Sequence, residues 1–443
     1  MTTNAAYLDW PFRPTVRSDE QEQLWWRVCY VSAAADRQLG TLDRWLLLAG
    51  PPGSGKSIAL SAWLRHHNDI LHLPYPLERW PGAPGAYLPS EPSHLAQMLA
   101  IAGENVASRL RHDHTAAARL DEYQRGFLRA LLQRHGGPGR YHTFLRTLPA
   151  ELRPVYEATP AADVFGTGDT PMGISALMQE LVLLAEALDC RRVLFTVDPP
   201  EPLGPADMAR LGDLLGRLDL TDNPDFLVAI TLRDEPLRAS DILERARARV
   251  HLTYTSWTAE ECRDVADRHL RCARPDAPLL LTDLLTMAAL KRADELLIEE
   301  FGGHSPAGWL YLAETALYAT QRAIPPTPLP IDTDGIEALW LLLFQRHVPL
   351  RLDEINHCVW RGARRLKIED KPFELLRLLR RRRGRINIDT DPELQGIAGE
   401  ASNLYSIVSR ARKAVEPNPK SPIYLLNKPG LGDYWLEDYS QQR

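Results

Sequence analysis

Gly50, Gly55, Lys56 and Ser57 stand in the spacing G-x-x-x-x-G-K-[ST] within Gly50-Pro51-Pro52-Gly53-Ser54-Gly55-Lys56-Ser57. These residue types at this spacing can bind phosphate. Glycines let a loop wrap closely enough for backbone N–H groups to point at a bound anion, Lys56 adds a point charge, and the Ser57 hydroxyl can face a magnesium ion. Ile58 follows and opens a helical apolar spacing over 58–64, so a helix is expected to direct its positive end at the same phosphates. The apolar run Trp45–Ala49 before the loop reads as a strand. Strand, loop and helix together form the context such a motif requires.

A nucleotide phosphate bound with magnesium also calls for a carboxylate at a strand end. Asp198 stands where the apolar run 193–197 stops, and Glu201 lies three residues on. The carboxyl edge of a parallel sheet is where such groups face a ligand, so Asp198 is the expected magnesium carboxylate. Glu201 is the expected group that orients or deprotonates an attacking water. A further strand over 226–231 ends in Thr231-Leu232-Arg233.

At this point the chain resembles the STAND-type ATPases, the signal-transducing branch related to AAA+ proteins. The resemblance rests on the phosphate loop, on Asp198 with Glu201, and on Thr231 with Arg233, and it covers roughly residues 10–320. It implies ATP/ADP and Mg2+ as cofactors, slow ATP hydrolysis, and an Arg233 guanidinium on the γ-phosphate. Gly303-His304-Ser305-Pro306 is similar to the family's Gly-x-Pro region with one residue more, which would lay Pro306 against the base. Trp10-Pro11-Phe12 resembles the family's N-terminal adenine-side segment. Arg245, Arg247 and Arg249 stand where AAA+ rings carry arginine fingers, although alternating arginines at a helix end also suit a solvated face.

The elements that must position these residues alternate along the chain. Strands are expected over 45–49, 70–73, 193–197, 226–231 and 250–253, with helices over 94–111, 119–134, 174–188 and 205–218. This is the pattern of an α/β fold with a mostly parallel sheet. Between Ser57 and Asp198 lie 140 residues, more than a compact core needs, so a helical, partner-facing insertion is expected at about 90–165. The resulting fold class is a P-loop NTPase parallel sheet with a helical insertion, a helical lid domain and a C-terminal winged-helix domain. Its expected boundaries are 1–254 for the ATPase domain, 255–323 for the lid, 324–348 for a linker and connecting helix, and 349–443 for the last domain. Four prolines within 324–330 cannot continue a helix and read as a stiff connection.

The net charge of −6 is uneven: residues 349–443 hold 18 Lys and Arg against 13 Asp and Glu, while the remainder is acidic. A basic terminal module points to a polyanionic partner. Its order of strands, helix 369–379, arginine-rich helix 404–415 and Gly430-Leu431-Gly432-Asp433-Tyr434 hairpin is similar to the winged helix-turn-helix of OmpR/PhoB-type regulators. That resemblance implies duplex DNA as partner, contacted by Arg410, Arg412 and Lys413; a protein-contact winged helix is the other reading. Five cysteines without a Cys-x-x-Cys pair, and histidines at 66, 67, 72, 112 and 114 without ligand spacing, indicate neither a disulfide framework nor a metal cluster. With no apolar run of about 18 residues and no leader-like start, a cytoplasmic protein without membrane contact is expected. Three functions stay open: a nucleotide-dependent switch that binds DNA or an effector and forms nucleotide-dependent homo-oligomers, a DNA-remodelling or loading AAA+ ATPase of initiator or transposition type, and a scaffold for a separate effector.

Overall fold

The computed structural model describes residues 12, 19–32, 39, 45–75, 91–163, 171–198, 223–233, 250–274, 277–321, 328–354, 357–387, 390–399, 401–428 and 432–437. Glu201, Trp10, the three arginines at 245–249, the expected helix 205–218 and the linker residues 324–327 lie outside them. The chain divides into two compact units, one of Ser32–Gly50 and Lys56–Thr255, the other of Met1–Val31, Pro51–Gly55 and Ser256–Arg443.

The first unit is α/β. Its five strands, β1 (Trp45–Ala49), β2 (Ile70–Tyr75), β3 (Arg192–Val197), β4 (Phe226–Leu232) and β5 (Val250–Tyr254), form one all-parallel sheet in the order β2-β3-β4-β1-β5. Every residue of β1 and β4 is buried, which explains their unbroken apolar runs: a central parallel strand is covered on both faces. β2 lies at the edge, where Pro74 costs no needed N–H donor.

The expected insertion is helical, in five pieces: Glu91–His112, His114–Arg119, Glu122–Gly136, Pro138–Thr147 and Arg153–Ala158. The periodicity over 119–134 suggested one helix, but Asp121 accepts the Gln124 N–H while Gln124 accepts the Asp121 N–H. That reciprocal cap starts a new helix, and Leu120 is left extended between the two. Buried Tyr156 ties the pieces together, donating its hydroxyl to the Ala117 carbonyl at 2.8 Å and accepting the Tyr141 hydroxyl at its own carbonyl at 2.6 Å. Gly126 is required where the chain crosses, since a Cβ there would stand 2.7 Å from the Pro160 carbonyl oxygen.

In the second unit, helices Ala259–Ala273, Met287–Phe301, Pro306–Gln321 and Thr333–His347 precede a three-stranded antiparallel sheet of β6 (Leu350–Asp353), β7 (Cys358–Arg361) and β8 (Arg364–Leu366). Thr258 caps the first of these helices as its sequence suggests, in a reciprocal box with Glu261. Helices Asp370–Arg382, Pro392–Ala398 and Ala401–Val415 follow, then a second sheet in the order β10-β11-β9, with β9 at Ile386–Asn387, β10 at Leu425–Lys428 and β11 at Asp433–Leu436. The short helix Pro392–Ala398 escaped sequence reading, being barely two turns behind an Asp391 cap.

One buried cluster runs through this unit from Cys262 to Tyr434 and includes Phe12. Ile331, at the end of the proline-rich stretch, is buried and exchanges backbone hydrogen bonds with Leu284 and Thr286 at 2.8 and 2.9 Å. The buried Glu300 carboxylate accepts from Arg361 at 3.1 and 2.5 Å and from the half-exposed Arg364 at 3.2 Å, joining the helical part to the first small sheet. Among the described residues no helix is long and apolar enough to cross a membrane.

Candidate functional site

The phosphate-loop motif begins at the end of β1 and runs into the helix Lys56–Leu64. Gly50 donates its N–H to the Leu232 carbonyl at 3.2 Å, which fixes the loop's entry to the end of β4. Within the loop, Gly53 and Gly55 have φ of +69° and +80°, conformations that other residues rarely adopt. A Cβ on Gly53 would lie 2.5 Å from the Ala307 Cβ and 2.8 Å from the Ser305 Oγ.

Three consecutive loop carbonyls accept hydrogen bonds from residues of the loop's own compact unit: Pro52 from the Ser305 hydroxyl at 3.1 Å, Gly53 from the Ala307 N–H at 3.2 Å, and Ser54 from the Trp257 indole at 2.7 Å. Holding the carbonyls of a loop in one set of directions constrains where its N–H groups can point, which is the condition for an anion nest. Sequence reading singled out the segment 303–306 for Pro306 alone. Pro306 is buried at the first turn of its helix, and the contacts to the loop come from its neighbours Ser305 and Ala307. Trp257 was missed, because nothing local marks an indole that bonds 203 positions away.

On the sheet unit, Lys56 is buried and its Nζ donates to the Gly50 carbonyl at 3.1 Å. The Ser57 hydroxyl lies 3.1 Å from Asp198 Oδ2, and the buried Thr231 hydroxyl donates to Asp198 Oδ1. Asp198 therefore stands at the end of β3 with one hydroxyl on each oxygen. The sheet places β4 between the loop strand β1 and β3, and that intervening strand supplies Thr231. Arg233 follows β4, two residues past Thr231, and is partly exposed; Ile58 is exposed at 41%.

Adjacent oxygens on an octahedral magnesium, bound at about 2.0–2.1 Å, lie ~2.9 Å apart, so the Ser57 and Asp198 pair at 3.1 Å fits that ion. Magnesium keeps waters and phosphate oxygens in its remaining positions. Among the described residues no group of three or more His, Cys, Asp or Glu is arranged for a metal. His66, His112 and His114 are exposed, His67 stacks on Trp63, and His72 is half-buried with Nε2 2.9 Å from the Thr196 hydroxyl. Burial pushes its pKa down to about 4.

At the other end of the chain the three basic residues expected on DNA do not share one face. Arg412 donates to the Leu425 carbonyl at 3.0 and 2.9 Å and to Asn427 at 2.8 Å; Arg410 pairs with Glu369; Lys413 is exposed. The same helix exposes Asn403, Tyr405, Ser406 and Ser409. Its end is fixed by Glu416, a buried carboxylate that accepts the N–H groups of Ile423, Tyr424 and Leu425.

No protein-family model and no curated protein sequence matches this chain.

Proposed function

We propose that the chain is an ATP-binding, slowly ATP-hydrolysing switch of the STAND type, with a C-terminal winged helix-turn-helix domain that takes duplex DNA or a protein effector. The observation that carries the reading is the convergence of the Ser57 and Thr231 hydroxyls on Asp198, on the sheet edge where Lys56 leaves the phosphate loop. Gly53 to Ser57 would present N–H groups and the Lys56 ammonium to the phosphates. A magnesium ion, held by Ser57 with Asp198, would neutralise charge on the β- and γ-phosphate oxygens. Glu201 is assigned to orienting the attacking water, Arg233 to the γ-phosphate, and Pro306 to the base. Lys56→Ala tests the assignment: loss of ATP binding and turnover is expected, and equal affinity and turnover in the variant would remove the site.

The DNA reading is supported by the excess of basic residues in 349–443 and by the exposed Asn403, Ser406, Ser409 and Lys413 on one helix. Because Arg412 is held by β10, base contact falls to this polar face, with Lys413 and Arg410 on phosphates. Coupling to nucleotide is supported by a cavity of 400 Å³ whose wall includes Pro52 and Gly53 of the loop together with Arg351 and Arg361 of the first small sheet. Anisotropy with duplex DNA at fixed salt, in ATP and in ADP, tests it; a difference of about 5–150-fold is the usual range for such coupling. DNA-stimulated turnover in a ring would mark a remodelling ATPase instead, and absence of DNA binding at low salt would mark an effector scaffold.

A further inference from the structure

Cys29 and Cys272 are 243 positions apart in sequence, yet their sulfur atoms lie 3.1 Å from one another. Cys29 follows the N-terminal helix Asp19–Val28, and Cys272 lies in the last turn of the helix Ala259–Ala273. Several contacts hold the two segments together beside this pair. Arg268 donates to the Tyr30 carbonyl at 3.1 Å, and His269 meets the rings of Trp25 and Phe12, each at 5.9 Å between centroids. The sulfurs are thus brought together by a docked helix, not by a chance approach of loops.

The two thiols are unequal. Cys29 is fully buried and donates to Cys272, which is partly accessible. That hydrogen bond, aided by the Arg271 guanidinium and opposed by burial, holds the Cys272 thiol below its ordinary pKa. The remaining three cysteines differ: burial raises the thiols of Cys190 and Cys358 and pushes Cys262 up to about 12. A thiolate is the reactive form, so reactivity concentrates at Cys272.

We propose that Cys29 and Cys272 form a reversible redox-controlled crosslink that fastens the N-terminal helix to the helix Ala259–Ala273. With hydrogen peroxide as oxidant, the Cys272 thiolate attacks one peroxide oxygen, the O–O bond breaks, and Cys272 becomes a sulfenic acid while hydroxide leaves and is protonated to water. The Cys29 sulfur then attacks the Cys272 sulfur. An S–S bond forms, the S–O bond breaks, and a second water carries away the oxygen with the Cys29 proton. Two thiols have lost two electrons to peroxide, and a dithiol reductant returns them. The sulfurs need close by only about 1 Å to reach the ~2.05 Å of a disulfide, a shift within the reach of side-chain rotation. The crosslink would close a loop that spans the whole parallel-sheet unit, so its effect is to suppress detachment of the N-terminal helix.

The test uses the purified full chain, reduced and then treated with hydrogen peroxide. Accessible and denaturant-exposed thiols are counted, and peptides are mapped after alkylation. Five thiols are expected before oxidation and three after it, with one crosslinked peptide pair carrying Cys29 and Cys272, restored to five by dithiothreitol. Oxidation should also raise the thermal midpoint of the unmutated protein and slow proteolysis after residues 19–32. Cys29→Ala should give no crosslink: with no resolving thiol beside it, Cys272 is trapped as a sulfenic acid, passes to the sulfinic acid in excess peroxide, or forms a mixed disulfide when glutathione is added. Five free thiols after oxidation, a crosslink between other cysteines, or only intermolecular dimers would overturn the proposal. Because the wild-type thiol count and map need no variant, the test stands even if Cys29→Ala fails to fold, and it does not depend on nucleotide binding.

Discussion

Thr231→Val replaces a hydroxyl by a methyl of nearly the same volume at a buried position on β4. What it removes is the donor to Asp198 Oδ1, leaving that carboxylate oriented by the Ser57 hydroxyl on the other oxygen. A hydrogen bond to a charged group contributes about 1.5–3 kcal/mol. Asp198 is exposed, so water replaces part of the loss, and the low end, about 1.5 kcal/mol, applies. If Asp198 holds magnesium together with Ser57, the magnesium concentration for half-maximal ATP binding should rise about tenfold, since 1.4 kcal/mol is one decade. On the same premise ATP binding measured in excess chelator should be unchanged, because the phosphate contacts proposed for the loop and Lys56 do not pass through Asp198. The assay is a fluorescent-nucleotide titration over magnesium at constant ionic strength, with circular dichroism to confirm the fold. An unchanged magnesium dependence would refute the reasoning, and an equal loss with and without magnesium would show that Thr231 supports the loop and not the ion.

Three other perturbations follow from single contacts. Trp257→Phe keeps a ring beside Gly55 but deletes the 2.7 Å donor to the Ser54 carbonyl; at about 1 kcal/mol for a neutral hydrogen bond, nucleotide affinity should fall about fivefold, and calorimetry showing no change would remove Trp257 from loop positioning. His72 has a folded-state pKa of about 4 against 6.5 unfolded, so below 6.5 the unfolded chain binds more protons and stability falls with pH, by about 3 kcal/mol at pH 4. His72→Gln should flatten that part of the urea-unfolding profile between pH 7 and 4, and parallel profiles would refute it. Arg361→Leu leaves the buried Glu300 carboxylate with Arg364 alone and should cost about 3 kcal/mol in urea unfolding, the lower end for a broken buried pair; a loss below about 1 kcal/mol would show that the pair does not tie the helical part to the sheet.

The glycine-bearing loop between strand and helix, the five parallel strands and the capped helix at Thr258 were legible in the sequence because each is decided by neighbours in the chain. Gly53 and Gly55 are needed by the loop's own backbone, the runs Trp45–Ala49 and Phe226–Leu232 record burial on two faces, and Thr258 reaches only to Glu261. The break at Leu120 was local as well, yet it was hidden behind an apolar periodicity that continues across Asp121. What the sequence could not supply was strand order. Nothing in residues 226–232 states that β4 lies between β1 and β3, and only that order brings Thr231 to Asp198. The same holds for Trp257 on the Ser54 carbonyl, for Arg412 turned to β10, and for Cys29 beside Cys272 across 243 positions. Each of these contacts joins groups whose separation in the chain carries no information about their separation in space. Burial of apolar faces determines which segments pack, and the polar groups carried on those segments meet only once the packing is complete.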